Sequence, residues 1–452
     1  MAQGPTGRTL YRGEAGYEEA RSAAVKNARL PQRFPDVIVQ AASDADVIAA
    51  VRLAKRNGLK IGVRSGGHSW AGAFLRDGGM LIDLSRMNAL VVDREARTAE
   101  IQPGLIGTEL NRALAKDDLC FPTGHCMNVG LGGFLLQGGF GWNSRVWGPA
   151  CVSVRAIDVV TADGEMWHAD ARRSAELLWA ARGAGPGFFG VVTRFYLTVY
   201  PRPKVFLKSD YVYPIEVYDE VLRFVHAVQP KLSRAMECLV FTRRDILGHK
   251  GPGALMTAPV IADSAEEARA ALAILEACPV RAKAVMADVN ASGSLDQWLQ
   301  GAEDLLYPPG ARYAADNMWT HAPVEALLPG MRDIARTLPD APSHMMWMLW
   351  GPTEPRPDMA FSMEDDLYIA LYSVWRDERE DARHQAWVTD HMKALEPLAS
   401  GIQLADENLA ARPFKFIADA NLARLEALRA KYDPGGLFHT YMGKYTGMPR
   451  AG

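Results

Sequence analysis

Hydrophobic and polar positions in the first part of the chain alternate between helical and strand spacing. After Ser43, four apolar residues share one face of a predicted helix, namely Val47, Ile48, Val51 and Ala54. Ser43 is predicted to cap this helix, with Asp46 as a weak capping-box partner, and Asn57-Gly58 is predicted to end it. Residues 59–63 then alternate as a short strand that leads directly into a glycine-rich loop. Ligands of α/β folds tend to bind at such strand ends.

The same patterning predicts mixed helices and strands along the rest of the chain. We predict strands at 80–84, 99–102, 154–160, 191–199, 238–242 and 367–375, and helices at 105–114, 175–181, 265–277 and 419–432. The proline-containing joint at 200–203 predicts a domain boundary. The alternation at 344–349 suits a strand that is apolar on both faces. Its Met and Trp residues fit either a protein core or an apolar pocket.

Length and composition indicate an ordinary globular protein of more than one domain. The chain has 452 residues, which is too many for a single hydrophobic core. Its 50 basic and 53 acidic residues nearly balance, so we expect neither nucleic acid nor a membrane as partner. No run of 18 apolar residues occurs, and the first eight residues lack an apolar h-region. We therefore expect a cytoplasmic protein without a signal peptide.

The cysteines point to free thiols. The five cysteines are odd in number and widely scattered, at positions 120, 126, 151, 238 and 278. This arrangement fits neither a disulfide framework nor a zinc-binding pattern, so no metal site is predicted. Cys126 is the exception among them, because it lies in a glycine-rich loop.

Two glycine-rich loops each hold one nucleophilic side chain. The first is Arg64-Ser65-Gly66-Gly67-His68-Ser69, and the second runs from Gly124 through Cys126 to Gly133 and on to Gly141. Glycine permits close backbone approach to a ligand, and successive N–H groups form anion-binding nests. Two such loops favour a bulky, phosphate-bearing cofactor. Neither loop fits a P-loop or a nicotinamide fingerprint, and both also fit ordinary tight turns.

With these residues in view, the chain resembles the berberine-bridge-enzyme-like flavoproteins of the vanillyl-alcohol-oxidase, or PCMH-type FAD-binding, superfamily. The motifs that carry the resemblance are the Arg-Ser-Gly-Gly-His loop, the Gly-x-Cys-x-x-Val-Gly-x-Gly-Gly loop, and the segments 158–165, 176–185, 190–193 and 431–438. The match covers about the first 200 and the last 40 residues, a usual size for a cofactor domain. The middle of the chain resembles the family only loosely.

The resemblance implies an α+β fold. It consists of a PCMH-type two-lobed FAD-binding domain and an α/β substrate domain whose antiparallel sheet is covered by helices. The implied limits are residues 1–202 for the FAD domain, 203–400 for the substrate domain, and 401–452 for a closing segment that returns to the FAD domain.

The resemblance also implies FAD bound covalently through two residues. His68 would be joined to the flavin 8α-methyl and Cys126 to flavin C6. The thiolate is the reactive form of cysteine, so we expect a lowered pKa for Cys126 and a neutral imidazole at His68.

The other residues of the motifs receive binding roles from the same resemblance. The pyrophosphate would be bound by Arg64, Ser65, Gly66, Gly67 and Ser69, the isoalloxazine would lie beside Val129, Gly130, Gly132, Gly133 and Gly139, and the adenosine end would lie near Gly190 and Val192. Arg64 fits a structural charge equally well. Gly132, Gly133 and Gly139 also fit a tight strand-to-turn crossing.

The catalytic base is not defined by the sequence. Many family members carry Tyr-x-Asn shortly before the final helix, but here residues 404–408 read Leu-Ala-Asp-Glu-Asn. We therefore consider His125, Tyr441 and Tyr445, with Asp316, Glu364 and His321 as outside alternatives, because a general base needs hydrogen-bond reach before a suitable pKa. Val129 lies three residues after Cys126, where the family resemblance implies a gate for O2.

The resemblance implies an FAD-dependent oxidase of a small apolar or aromatic alcohol, amine or phenol. Hydride would pass to the flavin, and O2 would be reduced to H2O2. The alternatives are a flavin dehydrogenase or oxidative cyclase, and a flavin-binding sensor or carrier that lacks catalysis. We expect a small-molecule substrate and a monomer or homodimer.

Overall fold

The structure is a computed structural model that describes residues 7–353 and 355–443. Its first half contains the following elements: β1 (Arg8–Tyr11), α1 (Tyr17–Ala23), β2 (Val37–Gln40), α2 (Asp44–Asn57), β3 (Ile61–Arg64), β4 (Met80–Asp83), β5 (Leu90–Asp93), β6 (Thr98–Ile101), α3 (Gly107–Leu114), β7 (Leu119–Cys120), α4 (Leu131–Leu136), α5 (Ser144–Trp147), β8 (Val154–Thr161), β9 (Met166–Asp170), α6 (Ala175–Ala181), β10 (Gly190–Thr198) and β11 (Tyr200–Pro201). These elements form two sheets, and the short strands β7 and β11 pair with each other.

The first lobe is a four-stranded sheet in the order β1-β2-β4-β3. Strand β4 pairs in parallel with β2 and β3, and β1 pairs antiparallel with β2. Helix α2 packs on this sheet and begins as predicted, because the Ser43 side chain accepts a hydrogen bond from the Asp46 N–H. It ends at Gly58, which has a left-handed conformation. Local signals therefore set the helix that precedes the first glycine-rich loop.

The second lobe is a five-stranded antiparallel sheet in the order β5-β6-β10-β8-β9. Its core includes residues of α3, α4 and α6 and also of a helix near the end of the chain, α12 (Asp419–Tyr432). After that helix, Phe438 forms a β-bridge with Ile61 in the first lobe. The closing segment thus contacts both lobes of the first half.

The second half is built on a seven-stranded sheet. Besides α12, its elements are β12 (Val205–Pro214), α7 (Tyr218–Val228), β13 (Cys238–Ile246), β14 (His249–Ala262), α8 (Ala265–Leu272), β15 (Met286–Ser292), α9 (Leu295–Leu306), β16 (Arg312–Thr320), α10 (Val324–Thr337), β17 (His344–Leu349), β18 (Leu367–Trp375) and α11 (Asp381–Leu395). The strands are antiparallel throughout, in the order β15-β12-β14-β13-β17-β18-β16.

The two faces of this sheet have different partners. Met345 and Trp347 of β17 face a core that contains residues of the helices α7, α8, α10 and α11. The alternate residues Met346 and Met348 face the opposite side and line a cavity. Because side chains alternate along a strand, one face of β17 packs in the core and the other lines the cavity. The core interpretation therefore holds for the first face, and the pocket interpretation holds for the second.

One sequence expectation differs from the structure in detail. The helix predicted at 265–277 is α-helical only to Leu272 and continues as a 3₁₀ helix over Ala273–Ala277. The predicted domain limits at 202 and 400 fall between β11 and β12 and between α11 and α12. These limits remain predictions. No helix within the described ranges has the length and apolar character needed to cross a membrane.

Candidate functional site

A cavity of about 500 Å³ lies where the two glycine-rich loops face the seven-stranded sheet. One wall is formed by the loops that follow β3 and precede α4. The opposite wall is the face of the sheet that carries Leu239, Phe241, Met346 and Met348, and helix α9 contributes Trp298. The cavity therefore combines backbone-rich and apolar surfaces, as small-molecule sites generally do.

The two glycine-rich loops contact each other directly. A Cβ atom added at Gly66 would lie 2.5 Å from the Gly130 Cα, and one added at Gly130 would lie 2.4 Å from the Gly66 Cα. The Gly133 N–H also donates a 3.1 Å hydrogen bond to the Ser65 Oγ. Only residues without a side chain allow this approach, so the loop sequences are explained by their mutual packing.

Every residue predicted to bind the cofactor lines this cavity: Arg64, Ser65, Gly66, Gly67, His68, Ser69, Cys126, Val129, Gly130, Gly132, Gly133, Gly139, Gly190 and Val192. The Arg64 guanidinium, however, forms a 2.8 Å ion pair with the buried Asp83 and donates to the Ala24 carbonyl. These contacts fit the structural alternative for Arg64. Contact between any of these residues and a cofactor stays a prediction.

His68 is held as a neutral imidazole. Burial lowers the pKa of this side chain to about 3, and the positive charge of Lys26 acts in the same direction. Its ring lies 5.0 Å from the Trp70 ring, measured between centroids. A neutral imidazole has a free lone pair on one nitrogen, so the side chain has the protonation state that a nucleophile requires.

Cys126 differs from its sequence expectation. Burial raises the pKa of this thiol, and the negative charges of Asp406 and Glu303 raise it further. Lys26 and a hydrogen bond with Tyr307 oppose this shift without cancelling it. The expected lowered pKa is therefore wrong for this structure, because the carboxylates near the thiol come from distant parts of the chain.

The candidate bases from the sequence lie in different places. The Tyr441 hydroxyl donates a 2.7 Å hydrogen bond to the Ala184 carbonyl, and its ring packs on Phe416 rather than lining the cavity. The structure thus corrects the prediction for Tyr441, whose hydroxyl is bonded outside the site. Tyr445 lies outside the described residues.

His125 does line the cavity, where its ring packs at 4.5 Å from Trp142. Its Nε2 lies 2.7 Å from a carboxylate oxygen of the buried Glu237, and the other oxygen of Glu237 accepts from the Asn143 N–H. His125 therefore remains within reach of the site as a candidate base.

The three outside alternatives are engaged in other contacts. Asp316 is buried in an ion pair with Arg412. Glu364 accepts a hydrogen bond from the Trp350 indole, and His321 is exposed beside Asp365. Asp316, Glu364 and His321 are all absent from the cavity lining.

The sequence interpretation missed a cluster around Asp406. Its Oδ2 accepts hydrogen bonds from the hydroxyls of Tyr368 (2.9 Å) and Tyr372 (2.8 Å), and its Oδ1 accepts from the Trp70 indole (3.0 Å). Burial raises the pKa of Asp406. One signal was available, because Asp406 stands two residues before Asn408, where Tyr-x-Asn has its tyrosine. The two tyrosines on β18 gave no such signal.

The cavity and its loops fit a bound FAD. The loops present backbone without side chains, one nucleophile is neutral, and the facing sheet contributes the apolar side chains of Leu239, Phe241, Met346 and Met348. A family model described as FAD binding domain matches residues 35–170. The FAD-linked oxidoreductase nodO of Hypoxylon pulicicidum is 35% identical over 422 residues, which cover 92% of this chain and 93% of that protein. FAD is therefore the cofactor.

Solved structures share the whole architecture. The 6-hydroxy-D-nicotine oxidase of Arthrobacter nicotinovorans has a TM-score of 0.84 at 22% identity, covering 98% of this chain and 99% of that one. BBE-like 1 of Physcomitrella patens has a TM-score of 0.78 at 19% identity, covering 97% and 98%. These similarities confirm the predicted α+β fold with a PCMH-type FAD-binding domain.

Proposed function

Because the chain belongs to the FAD-linked oxidoreductases of the berberine-bridge-enzyme-like type, we propose that it is an oxidase of a small apolar or aromatic alcohol, amine or phenol. The observation that carries the proposal is the convergence of His68 and Cys126 on one cavity whose far wall carries the apolar side chains of Leu239, Phe241, Met346 and Met348. When bound, FAD would supply the hydride acceptor and the route for two electrons to O2, with H2O2 as the product. We further propose that His68 and Cys126 both bond to the flavin, in a cytoplasmic monomer or homodimer.

In this proposal, different residues of the chain bind the cofactor and the substrate. The packed loops around Gly66 and Gly130 would hold the cofactor at a fixed distance from the sheet. Met346, Met348 and Phe241 would bind the apolar part of the substrate, because their burial removes apolar surface from water. Covalent attachment would keep the cofactor in place in a cavity that stays open to the substrate.

Aromatic and alkyl-bearing substrates are expected to reduce the flavin faster than sugars. The reason is the apolar part of the sheet face, formed by Phe241, Met346 and Met348, which offers no group to replace the water lost by sugar hydroxyls. The measurement is anaerobic stopped-flow reduction by benzyl alcohol, benzylamine, 4-ethylphenol, 6-hydroxy-D-nicotine and glucose, followed by peroxide detection in air. Equal reduction by glucose would contradict the proposed substrate class. Reduction without peroxide would favour a dehydrogenase.

Val129 is expected to control the reaction with O2. Its side chain lines the cavity three residues after Cys126, and a β-branched side chain has few rotamers with which to open or close a gap. Val129→Leu should slow reoxidation of the reduced flavin on the order of tenfold, which corresponds to about 1.4 kcal/mol of barrier. Reduction by substrate should change much less. The measurement is stopped-flow mixing of reduced enzyme with oxygenated buffer.

The matched control for this prediction is Val146→Leu, a valine that is 46% exposed on the surface. This variant should reoxidise at the wild-type rate. Slow reoxidation of the wild type, together with rapid reduction of a quinone dye, would identify a dehydrogenase instead.

A further inference from the structure

Asp406 is an interior carboxylate whose hydrogen-bond partners are all neutral. The donors are two phenol hydroxyls and one indole N–H, from Tyr368, Tyr372 and Trp70. Within residues 7–353 and 355–443, no Lys, Arg or His forms an ion pair with Asp406. Buried charges in proteins are normally paired with an opposite charge, so an unpaired carboxylate in a cavity is typical of a functional site.

The position of this carboxylate places it beside the proposed flavin attachment. Asp406, Tyr368, Tyr372 and Trp70 all line the cavity that contains His68 and Cys126. The Trp70 ring lies 5.0 Å from the His68 ring, and the charge of Asp406 acts on the Cys126 thiol. The carboxylate is therefore on the reacting side of the cavity.

The hydrogen bonds distinguish the two oxygens of Asp406. A carboxylate oxygen has about two lone-pair sites. Both sites of Oδ2 are used by the hydroxyls of Tyr368 and Tyr372, whereas Oδ1 accepts, among the residues that the structure describes, only from the Trp70 indole. Oδ1 therefore keeps one site for a further donor, and the cluster fixes the direction in which that donor must approach.

We propose that Asp406 Oδ1 is the proton acceptor for the substrate hydroxyl or amine, held in place by Tyr368, Tyr372 and Trp70. This inference rests on the proposed oxidase function. The X–H bond of the substrate breaks and its proton binds Oδ1, while the electron pair it leaves forms the C=X double bond. In an alcohol or amine, the C–H bond on the carbon that bears X breaks with its pair, as a hydride that bound FAD would accept. O2 would then take the two electrons and the proton of that hydride, together with the proton held on Oδ1, to become H2O2.

The physical chemistry of the cluster suits this role. Burial disfavours the charged form of Asp406, so accepting a proton removes an unpaired interior charge. The three donors stabilise the anion and so oppose the rise in its pKa that burial causes, without cancelling it. His125 is one competing candidate, but its Nε2 already interacts with Glu237, which holds that ring to another wall of the cavity. Glu407 is a second buried carboxylate in the lining, but it accepts from the Leu409 N–H, and the positive charges of Arg76 and Arg33 act on it.

The decisive measurement is the rate of anaerobic flavin reduction against pH, with the compound of the substrate panel that reduces the wild type fastest. The wild-type rate should rise with pH through the raised pKa of Asp406 and then level off, because only the ionised carboxylate accepts a proton. Asp406→Asn should lower the plateau by roughly 10²–10⁴-fold, the usual contribution of a general base, and remove this ionisation from the profile. Formate should partly restore the rate of Asp406→Ala.

Two tyrosine variants separate this role from a purely structural one. Tyr368→Phe removes one donor to the anion, so its pH profile should shift to higher pH while flavin content is retained. Tyr441→Phe is the matched control, because its hydroxyl bonds the Ala184 carbonyl outside the cavity. Its profile should match that of the wild type. If the pH profile of His125→Asn lacks this ionisation and the profile of Asp406→Asn keeps it, the base is His125 and the inference is overturned.

A second readout needs no substrate. The flavin absorbance of the resting enzyme, titrated with pH, should show one transition that is absent in Asp406→Asn and shifted upward in Tyr368→Phe. A wild type without this transition, or an unchanged transition in Asp406→Asn, would overturn the inference. If no compound of the panel reduces the wild-type flavin, the proposed function fails, and this titration still decides the protonation role of Asp406.

Discussion

Replacing His68 and Cys126 together with alanine is expected to abolish covalent attachment of FAD completely. Wild-type protein should stay yellow after acid precipitation, whereas the double variant should release all its flavin into the supernatant. The reason is that these two side chains are the nucleophiles that the paired glycine-rich loops place in one cavity. Mass spectrometry of tryptic peptides should find one FAD joined to both peptides of the wild type.

The single variants show which side chain forms which covalent bond to the flavin. His68→Ala should keep the flavin through Cys126 alone, with slower reduction by substrate because the flavin potential falls. Cys126→Ala should keep it through His68 alone. Cys151→Ala is the matched control, because that thiol is buried against Met359 outside the cavity. Either peptide found unmodified in fully loaded wild-type protein would remove that bond from the proposal.

The raised pKa of Cys126 adds a condition to this prediction. With a protonated thiol as the resting form, formation of the sulfur bond should accelerate as pH rises, since the thiolate is the reactive species. His68 is neutral across the same range, so its bond should form with little dependence on pH. Flavin-free protein mixed with FAD and sampled over time by mass spectrometry would separate the two rates.

Gly130→Ala is expected to remove most of the FAD binding, whatever the fate of the covalent bonds. The added methyl would lie 2.4 Å from the Gly66 Cα and 2.5 Å from its N, and backbone atoms cannot move aside as a flexible side chain can. Overpacking of this kind costs about 1–3 kcal/mol, which corresponds to about 5- to 150-fold in an equilibrium. The measurement is the flavin-to-protein absorbance ratio of purified protein, with thermal unfolding as a check on folding.

The control for this variant is Gly435→Ala, where an added Cβ has no atom within 4 Å. It should bind FAD as the wild type does. Gly66→Ala should reproduce the loss seen in Gly130→Ala, because the two glycines meet each other. Full FAD content in Gly130→Ala would mean that the loops can separate, and the packing argument would then be wrong.

Local sequence determined much of the secondary structure around the site. Ser43 caps α2 and Gly58 ends it, because a side-chain oxygen and a missing Cβ act on the backbone within one helical turn. Strand alternation at 344–349 likewise predicted a β17 that is apolar on both faces. The two glycine-rich loops identified the cofactor side, since their composition permits the close approach seen at Gly66 and Gly130.

Tertiary structure decided which side chains contact each other in the site and how their pKa values shift. Asp406 meets Trp70 across 336 positions of sequence, and its two tyrosine donors come from a central strand of another sheet. The sign of the Cys126 pKa shift was missed for the same reason, because it depends on burial and on distant carboxylates. Tyr441 was wrongly considered as a catalytic base, because proximity in sequence to a motif does not determine which acceptor its hydroxyl bonds.

The sequence by itself thus predicted the α+β class and the FAD cofactor through the resemblance of its motifs to a family. It pointed to His68 and Cys126 through the glycine-rich loops around them, since short-range backbone requirements are written in adjacent residues. Only the folded chain decided that Asp406 has neutral hydrogen-bond partners in the cavity and which Met residues face it. Those properties depend on burial and hydrogen-bond partners, and such partners are brought together by the packing of whole sheets rather than by spacing along the chain.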